Sequence, residues 1–423
     1  MVPFEISSDI AESPSFESPV SLSLHIVVVG IRNAGKSSLI NQLFEKDVSL
    51  VSSVPGTTTD PVLRKMELPG LGPVAFVDTA GIDDEGDLGA QRVARTRQRL
   101  ATAHGALFVT PAHLPPRPEE RELYEELEKG GKPFLVVVTH SDLPLHEEKA
   151  RWLDAGKERG HNPIFISNQK KEGAAAVRKA LSALSERLCH EPGVLEGLVH
   201  EGDHLLLVVP VDLAAPKGRL IQPQVETIRD ALDRDCTVTV VKERELYGTY
   251  HALPRPPRLV ITDSQVFSKV AADIGEDQAL TSFSILFARK KGELSLFLEG
   301  LDCLKNFSPR GRVFVMEACS HHRTADDIAS VKIPRLFSAL VNPRTPFYTV
   351  RQIPDDVGPE DLVIHCGGCM ITARTMQERI RKLRERGVPV TNYGLFLAWA
   401  NGLIPRAIAC LPEYGEFQRG GSA

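Results

Sequence analysis

His25-Ile26-Val27-Val28-Val29-Gly30-Ile31-Arg32-Asn33-Ala34-Gly35-Lys36-Ser37 is the stretch that decides the fold of the first part of this chain. A β-branched run leads into G-x-x-x-x-G-K-S, and Leu39, Ile40 and Leu43 then recur at helical spacing. Strand, glycine-rich loop and helix in that order make a phosphate cradle. The glycines let backbone N–H groups wrap phosphate oxygens, and the helix N-terminus adds positive potential. A glycine-rich turn without a ligand is the competing reading, and it does not require the strand and helix that flank this one. Gly30, Asn33, Ala34, Gly35, Lys36, Ser37 and Ser38 are the expected contacts. Lys36 suits the β- and γ-phosphates, and Ser37 offers a hydroxyl to Mg²⁺.

Working outward, Asp78-Thr79-Ala80-Gly81 follows the apolar run Val74–Val77. Asp78 there can hold the magnesium hydration shell, and Gly81 can turn an N–H toward the γ-phosphate. Lys36, Ser37, Asp78 and Gly81 form the expected catalytic set. Upstream, Pro55-Gly56-Thr57-Thr58-Thr59-Asp60 offers hydroxyls, with Thr58 a second Mg²⁺ ligand; a plain turn is the alternative there. These residues resemble the translation-factor-like GTPases of the TrmE/Era kind. The resemblance implies binding and Mg²⁺-dependent hydrolysis of GTP, with GDP as product, and a K⁺ ion held by Asn33. Ile82 follows Gly81 where Ras-like proteins carry a water-orienting Gln, so slow turnover is expected. Such GTPases read guanine with N-K-x-D, whereas here Phe134–Val138 leads into Thr139-His140-Ser141-Asp142. Asp142 can still accept from the guanine N–H groups, while His140 replaces the lysine stem. Ser167 stands where the last guanine loop belongs.

The whole chain has 423 residues, more than one hydrophobic core usually serves, so two or three domains are expected. Apolar residues at 42% and charged residues at 25% allow a packed core throughout. A formal net charge of -5 without a Lys/Arg block argues against nucleic acid as the main partner. No apolar run reaches the ~18 residues that span a bilayer, which speaks against a membrane partner. Residues 1–20, rich in Ser, Pro and Glu, lack a basic start and an apolar stretch; they read as a disordered leader, and the protein as cytoplasmic.

The class expected is α/β: a P-loop GTPase domain with a parallel sheet at 21–188, a small α/β domain at 195–275 that reads as a structural or association domain, and a further Rossmann-like α/β domain at 276–415. The apolar runs at His25–Val29, Val74–Val77, Ala106–Val109, Phe134–Val138 and Pro163–Ile166 predict the first sheet. Leu205–Val211, Cys236–Val241 and Arg258–Thr262 predict strands in the middle, with a helix over Gln224–Leu232 that carries Val225, Ile228 and Leu232 on one face. Ser282–Ala288, Arg312–Ala318, Phe347–Val350, Leu362–His365 and Val388–Thr391 predict the last set, with a helix from Thr372 to Arg386.

Seven cysteines in a large chain do not suggest a disulfide framework. Cys189, Cys236, Cys303 and Cys410 are scattered and read as buried thiols. The others cluster. Cys319-Ser320-His321-His322 follows one predicted strand, and His365-Cys366-Gly367-Gly368-Cys369 follows another. Parallel strands deliver their carboxyl ends to one edge, so Cys319, Cys366 and Cys369 can converge. A structural Cys₃His zinc site and an iron–sulfur cluster on three thiolates both fit this spacing. With Glu317 and the histidines there are more donors than a closed zinc site needs, which favours an adaptable corner.

A GTPase joined to Cys-x-His…His-Cys-x-x-Cys resembles the FeFe-hydrogenase maturation GTPases, the HydF family. Further stretches are similar: Ala215–Ile221, Leu259–Phe267, Thr281–Arg289 and Pro389–Gly394. The resemblance implies a 4Fe-4S cluster on Cys319, Cys366 and Cys369, with His321, His365, Glu317 or water at the fourth corner. It also implies that 195–275 is a dimerisation domain and 276–415 a cluster-binding domain, in a homodimeric scaffold that receives a diiron subcluster precursor from radical-SAM maturation enzymes and hands it to apo FeFe-hydrogenase. The rival reading is a ribosome- or RNA-associated GTPase with a structural zinc site.

Overall fold

The computed structural model describes residues 23–44, 53–54, 63–83, 86–184, 188, 192–210, 220–318 and 327–415. The expected leader, Thr58, Cys189, Cys319, His321 and His322 lie outside the described residues. The chain divides between residues 190 and 191 into two compact units.

The first unit is built on a seven-stranded sheet. Its strands are β1 (Leu24–Val29), β2 (Ser53–Val54), β3 (Leu63–Leu68), β4 (Gly72–Asp78), β5 (Gly105–Pro111), β6 (Phe134–Thr139) and β7 (Ile164–Phe165), in the order β2-β3-β4-β1-β5-β6-β7. β1 pairs in parallel with β4 and β5, and the parallel run continues through β6 to β7. The apolar runs predicted this part. β2 and β3 are an antiparallel addition on the β4 side that the sequence reading did not contain. Two apolar layers flank the sheet. One includes Leu39, Phe76, Leu107 and Val177; the other includes Phe108, Leu123, Val136 and Leu153. Burial on both faces is why β1, β5 and β6 read as unbroken hydrophobic runs.

A charged cluster is sealed inside this unit. Lys149 and Glu120 are both fully buried, with Lys149 Nζ 3.3 Å from Glu120 Oε2. Lys149 also donates to Thr110 Oγ1 at 2.5 Å, and the Arg117 N–H donates to Glu120 Oε2 at 3.0 Å. Burial pushes the Lys149 ammonium below its ordinary value, with Glu120 opposing that shift.

The second unit holds two four-stranded sheets. β8 (His204–Val208), β9 (Thr237–Val241), β10 (Leu259–Thr262) and β11 (Leu280–Ser282) lie in the order β11-β10-β8-β9. β12 (Val313–Met316), β13 (Phe347–Val350), β14 (Leu362–His365) and β15 (Val390–Asn392) lie in the order β13-β12-β14-β15. Every pairing in both sheets is parallel. One apolar core serves both, running from Leu206 and Val260 through Phe287 and Phe297 to Val315, Ile364 and Phe396. Among the described residues, no helix is long and apolar enough to cross a membrane.

Two local expectations are corrected. Ser282–Ala288 is not a strand: Leu280–Ser282 forms β11, and Phe283–Lys291 is a helix capped by Ser282, whose Oγ accepts from the Ile285 N–H at 3.3 Å. A short continuous apolar run cannot distinguish a buried strand from a buried helix, and here Phe283 and Ile285 to Ala288 are all buried. In the helix Gln222–Asp233 the buried face is Gln224, Thr227 and Ala231, while Val225 and Leu232 are 46% and 55% exposed. The helix Ala373–Glu385 behaves as its pattern requires, with Met376, Ile380 and Leu383 buried and Thr372 as its cap.

The buried charge cluster gives the first prediction. Replacing Lys149 by Met strands the Glu120 carboxylate inside the core, and stability is expected to fall by ~3–5 kcal/mol. The double change Lys149→Met with Glu120→Gln removes that stranded charge and should recover a clear part of the loss. Urea denaturation monitored by tryptophan fluorescence checks both.

Candidate functional site

The nucleotide pocket is assembled at the carboxyl edge of the first sheet. β1 ends at Val29 and the chain turns at Gly30 (φ +153°), where a Cβ would lie 2.1 Å from the Val109 carbonyl oxygen of β5. Gly35 (φ +87°) lies against Asn168, its absent Cβ 2.9 Å from Nδ2. No larger residue fits either place. A cavity of about 750 Å³ opens here, lined by Asn33, Lys36, Ser37, Gly81, Asp142 and Asn168 among others.

Lys36 is buried at the start of the helix Lys36–Phe44, and its Nζ donates to the carbonyls of Gly30 (3.0 Å) and Ile31 (2.8 Å). Ser37 Oγ donates to Asp78 Oδ2 at 2.6 Å, so the two expected magnesium residues meet. The other Asp78 oxygen is buried and has no hydrogen-bond partner among the described residues. A hydroxyl beside a carboxylate with a spare oxygen is a hard donor set, and it fits Mg²⁺.

The segment after Asp78 is closed on the phosphate loop. Thr79 Oγ1 donates to the Val28 carbonyl (2.6 Å), and the Ile82 N–H donates to the Gly30 carbonyl (3.3 Å). A Cβ on Gly81 would lie 2.7 Å from the Arg32 nitrogen. Asp83 completes the closure: its Oδ1 accepts from the Arg32 N–H at 2.5 Å, and its Oδ2 pairs with Arg117 Nη1 at 2.9 Å. The carboxylate thus occupies a loop amide of the kind that binds phosphate oxygens. Sequence reasoning missed Asp83 and Arg117. Their contact spans 34 residues and follows no motif.

At the base-reading end, buried Thr139 donates from Oγ1 to the Ala34 carbonyl (2.6 Å), tying β6 to the phosphate loop. His140 adopts a left-handed backbone (φ +56°), and burial pushes its imidazole below the ordinary value. Asp142 and Ser167 meet, with Ser167 Oγ donating to Asp142 Oδ1 at 2.7 Å. That bond, ahead of other causes, holds the Asp142 carboxyl below the usual range, so an ionised acceptor faces the cavity. Asn168 Oδ1 is buried nearby without a hydrogen-bond partner among the described residues.

The second site lies at the carboxyl edge of the third sheet. Met316 of β12 stands opposite His365 of β14, so Glu317 and Cys366 leave adjacent strands together. The Ala318 N–H donates to Cys366 Sγ at 3.2 Å. Gly368 (φ +64°) makes the tight C-x-x-C turn, and Met376 Cε lies 2.5 Å from where its Cβ would be. Burial pushes the Cys366 thiol up to about 11, so it stays protonated at neutral pH unless a cation compensates the thiolate.

His365 is fully buried, and burial pushes its imidazole down to about 4. Both ring nitrogens are engaged: Nδ1–H donates to the Cys366 carbonyl at 2.7 Å, and Nε2 accepts from Arg379 Nη1 at 2.9 Å. In this arrangement His365 braces the turn. Glu317 is buried, with its backbone N–H donating to the Val350 carbonyl at 2.9 Å. Among the described residues, no group of three or more His, Cys, Asp or Glu side chains gathers as a metal site. Two thiols on a C-x-x-C turn, one already receiving a backbone N–H, nevertheless suit a soft, thiolate-held metal. Cys303 and Cys410 are free thiols that burial pushes to about 11, as inert packing residues would be.

The closure on the phosphate loop yields a prediction. Asp83→Ala frees the Arg32 amide, so a γ-phosphate no longer competes with a fixed carboxylate. Affinity for GTP should rise relative to GDP by about tenfold, the worth of one charge-assisted hydrogen bond. Titration with fluorescent GTP and GDP analogues reads that ratio.

Comparison with known proteins agrees with this division. Residues 25–140 match the family described as 50S ribosome-binding GTPase. Residues 194–292 match the hydrogen maturase F dimerization domain, and residues 295–410 match the hydrogen maturase F tetramerization domain. Among curated relatives, the tRNA modification GTPase MnmE of Methylorubrum populi is 41% identical over 120 residues, 28% of this chain and 25% of that protein. MnmE of Heliobacterium modesticaldum is 34% identical over 212 residues, 49% of this chain and 42% of its own length. The chain thus spans less than half the length of these curated relatives. Among solved structures, Era in complex with MgGDPNP and a piece of 16S ribosomal RNA is 28% identical with a TM-score of 0.31, over 38% of this chain and 56% of that one. With a GTPase domain ahead of both maturase domains, the chain belongs to the hydrogen maturase F (HydF) family.

Proposed function

We propose that this protein is a GTP-hydrolysing scaffold that holds a 4Fe-4S cluster on Cys319, Cys366 and Cys369. Through it, the protein would assemble or deliver the diiron subcluster precursor of FeFe-hydrogenase. The observation that carries the reading is the hydrogen bond from the Ala318 N–H to Cys366 Sγ. Cys319 follows Ala318 in the chain, and we read it as the third thiolate. The cluster would supply an iron with an exchangeable corner. Glu317, His321 or water are the candidates for that corner, since His365 is engaged by Arg379 and the Cys366 carbonyl.

On the nucleotide side, Lys36 would exchange its two carbonyl partners for phosphate oxygens. Ser37, Asp78 and Thr58 would serve Mg²⁺, Gly81 would donate to the γ-phosphate, and Asp142 with Ser167 would read guanine. Asn33 would hold K⁺ against the phosphates. Turnover should be slow, because Ile82 brings no amide to orient water. GTP would act as a switch: a γ-phosphate must displace Asp83 and reopen the segment that now lies on the loop. Radical-SAM maturation enzymes and apo-hydrogenase would be the partners of a cytoplasmic homodimer, and the dimerization and tetramerization matches support self-association. The ribosome-binding description of the GTPase match favours a second reading, a ribosome-associated GTPase with a structural zinc site.

Metal and sulfide analysis after anaerobic reconstitution decides between them. The wild type should carry about four iron and four sulfide per chain. Cys366→Ala should lose most of both, and with them the ability to activate apo-hydrogenase. One zinc per wild-type chain without sulfide would leave the second reading standing. For the nucleotide site, GTP hydrolysis should run several-fold faster in KCl than in NaCl at equal ionic strength, and Asn33→Ala should abolish that difference. Equal rates in the two salts for the wild type would remove the potassium assignment.

A further inference from the structure

The turn that carries Cys366 and Cys369 rests on a buried cation. Lys291, the last residue of the helix Phe283–Lys291, is only 2% exposed. Its Nζ donates to the carbonyls of Gly368 (3.0 Å), Cys369 (3.4 Å) and Ile371 (2.9 Å). The same ammonium lies 5.2 Å from the centre of the Phe287 ring, one turn back on its own helix. The first turn of that helix also reaches the loop, since the Cβ position of Gly367 is 3.5 Å from Ser284 Oγ. The helix therefore runs beneath the whole C-x-x-C turn, touching it at both ends.

A lysine at a helix C-terminus commonly caps its own helix or points to water. This one does something else: the three carbonyls belong to a loop 77 to 80 residues further along the chain. Carbonyl oxygens satisfy the ammonium as a hydrogen-bond donor. They also orient the turn. In a trans peptide the C=O and N–H point in opposite directions, so drawing these carbonyls to Nζ turns the N–H groups of Cys369, Met370 and Thr372 away from it. Peptide N–H groups arranged around a turn are a recognised way to stabilise bound negative charge.

We propose that Lys291 is a positioning residue for the cysteine-held cluster: it fixes the peptides of the Cys366–Ile371 turn and sets a positive charge behind them. The inference rests on the cluster reading given above. Reducing an iron–sulfur cluster adds negative charge, and a nearby fixed cation stabilises that state. Lys291 thus raises the reduction potential as well as securing iron. It is not among the residues that line the nucleotide pocket, so GTP hydrolysis should be unaffected and serves as the control for folding.

Lys291→Met and Lys291→Arg in the full chain test this, read by iron and sulfide content after anaerobic reconstitution and by redox titration followed by EPR. Lys291→Met should bind less iron than the wild type, and the cluster it retains should titrate at a more negative potential. Lys291→Arg, which keeps the charge, should stay closer to the wild type in both readouts. Wild-type iron content and potential in the Met variant would overturn the proposal, as would equal displacement of both variants. Should Lys291→Met fail to fold, by circular dichroism and GTP hydrolysis, the Arg variant decides: a potential near wild type supports the proposal, and a marked negative shift defeats it. If Cys366→Ala retained its full iron content, or the wild type bound none, the cysteine assignment would fall first and this inference with it.

Discussion

Parallel strand pairing places both candidate sites. In a parallel sheet every strand points its carboxyl end to the same edge, and residues that leave that edge become neighbours whatever their distance in sequence. The register of β1 against β4 sets Val28 beside Asp78, which brings the magnesium carboxylate to the mouth of the phosphate loop. The register of β12 against β14 sets Met316 beside His365, which brings Ala318 to the Cys366 sulfur. A slip of one residue in either ladder would turn the buried faces outward and separate these groups together. The apolar contacts of Val27, Phe76, Val315 and Ile364 hold the register, so the chemistry at each edge is anchored by hydrophobic packing beneath it.

Among the described residues three lysines are buried, and their surroundings differ in kind. Lys149 faces the Glu120 carboxylate inside the first unit, an opposite charge that compensates it. Lys36 and Lys291 donate to backbone carbonyls, which satisfy hydrogen bonding. The desolvation of an ammonium held that way is tolerated because the oriented carbonyl dipoles offset it. The contrast separates a cation paired with a carboxylate in the core from cations that brace the backbone of loops.

What the sequence revealed follows the same line. The phosphate loop, the Asp78–Gly81 segment and the C-x-x-C turn were legible because local residue types alone dictate their backbone: glycines at Gly30, Gly35 and Gly368 permit conformations other residues resist. The strands of the parallel sheets were legible as unbroken apolar runs. That signal failed at Ser282–Ala288, where burial all round made a helix look like a strand. It also misjudged the helix Gln222–Asp233, whose polar Gln224 and Thr227 face inward while Val225 faces out. The Asp83–Arg117 pair and the Lys291 contacts were invisible for a different reason. They join segments 34 and 77 or more residues apart, and no local pattern announces such an approach.

Gly300 and Lys291 bear on how far the second unit can be taken apart. A Cβ on Gly300 would lie 2.0 Å from the Val390 carbonyl, so the helix Leu294–Asp302 lies directly on β15 with only hydrogen between. Lys291, within the region that matches a dimerization domain, grips a cysteine turn within the region that matches a tetramerization domain. The two regions carry separate family descriptions, yet they share one interior. Cutting the chain at residues 293–294 would leave one fragment with the ammonium and the other with the sulfurs. For anyone building chimeras from such maturases, residues 194–410 are therefore the smallest interchangeable part, and a graft of the cysteine-bearing half alone would leave its own foundation behind.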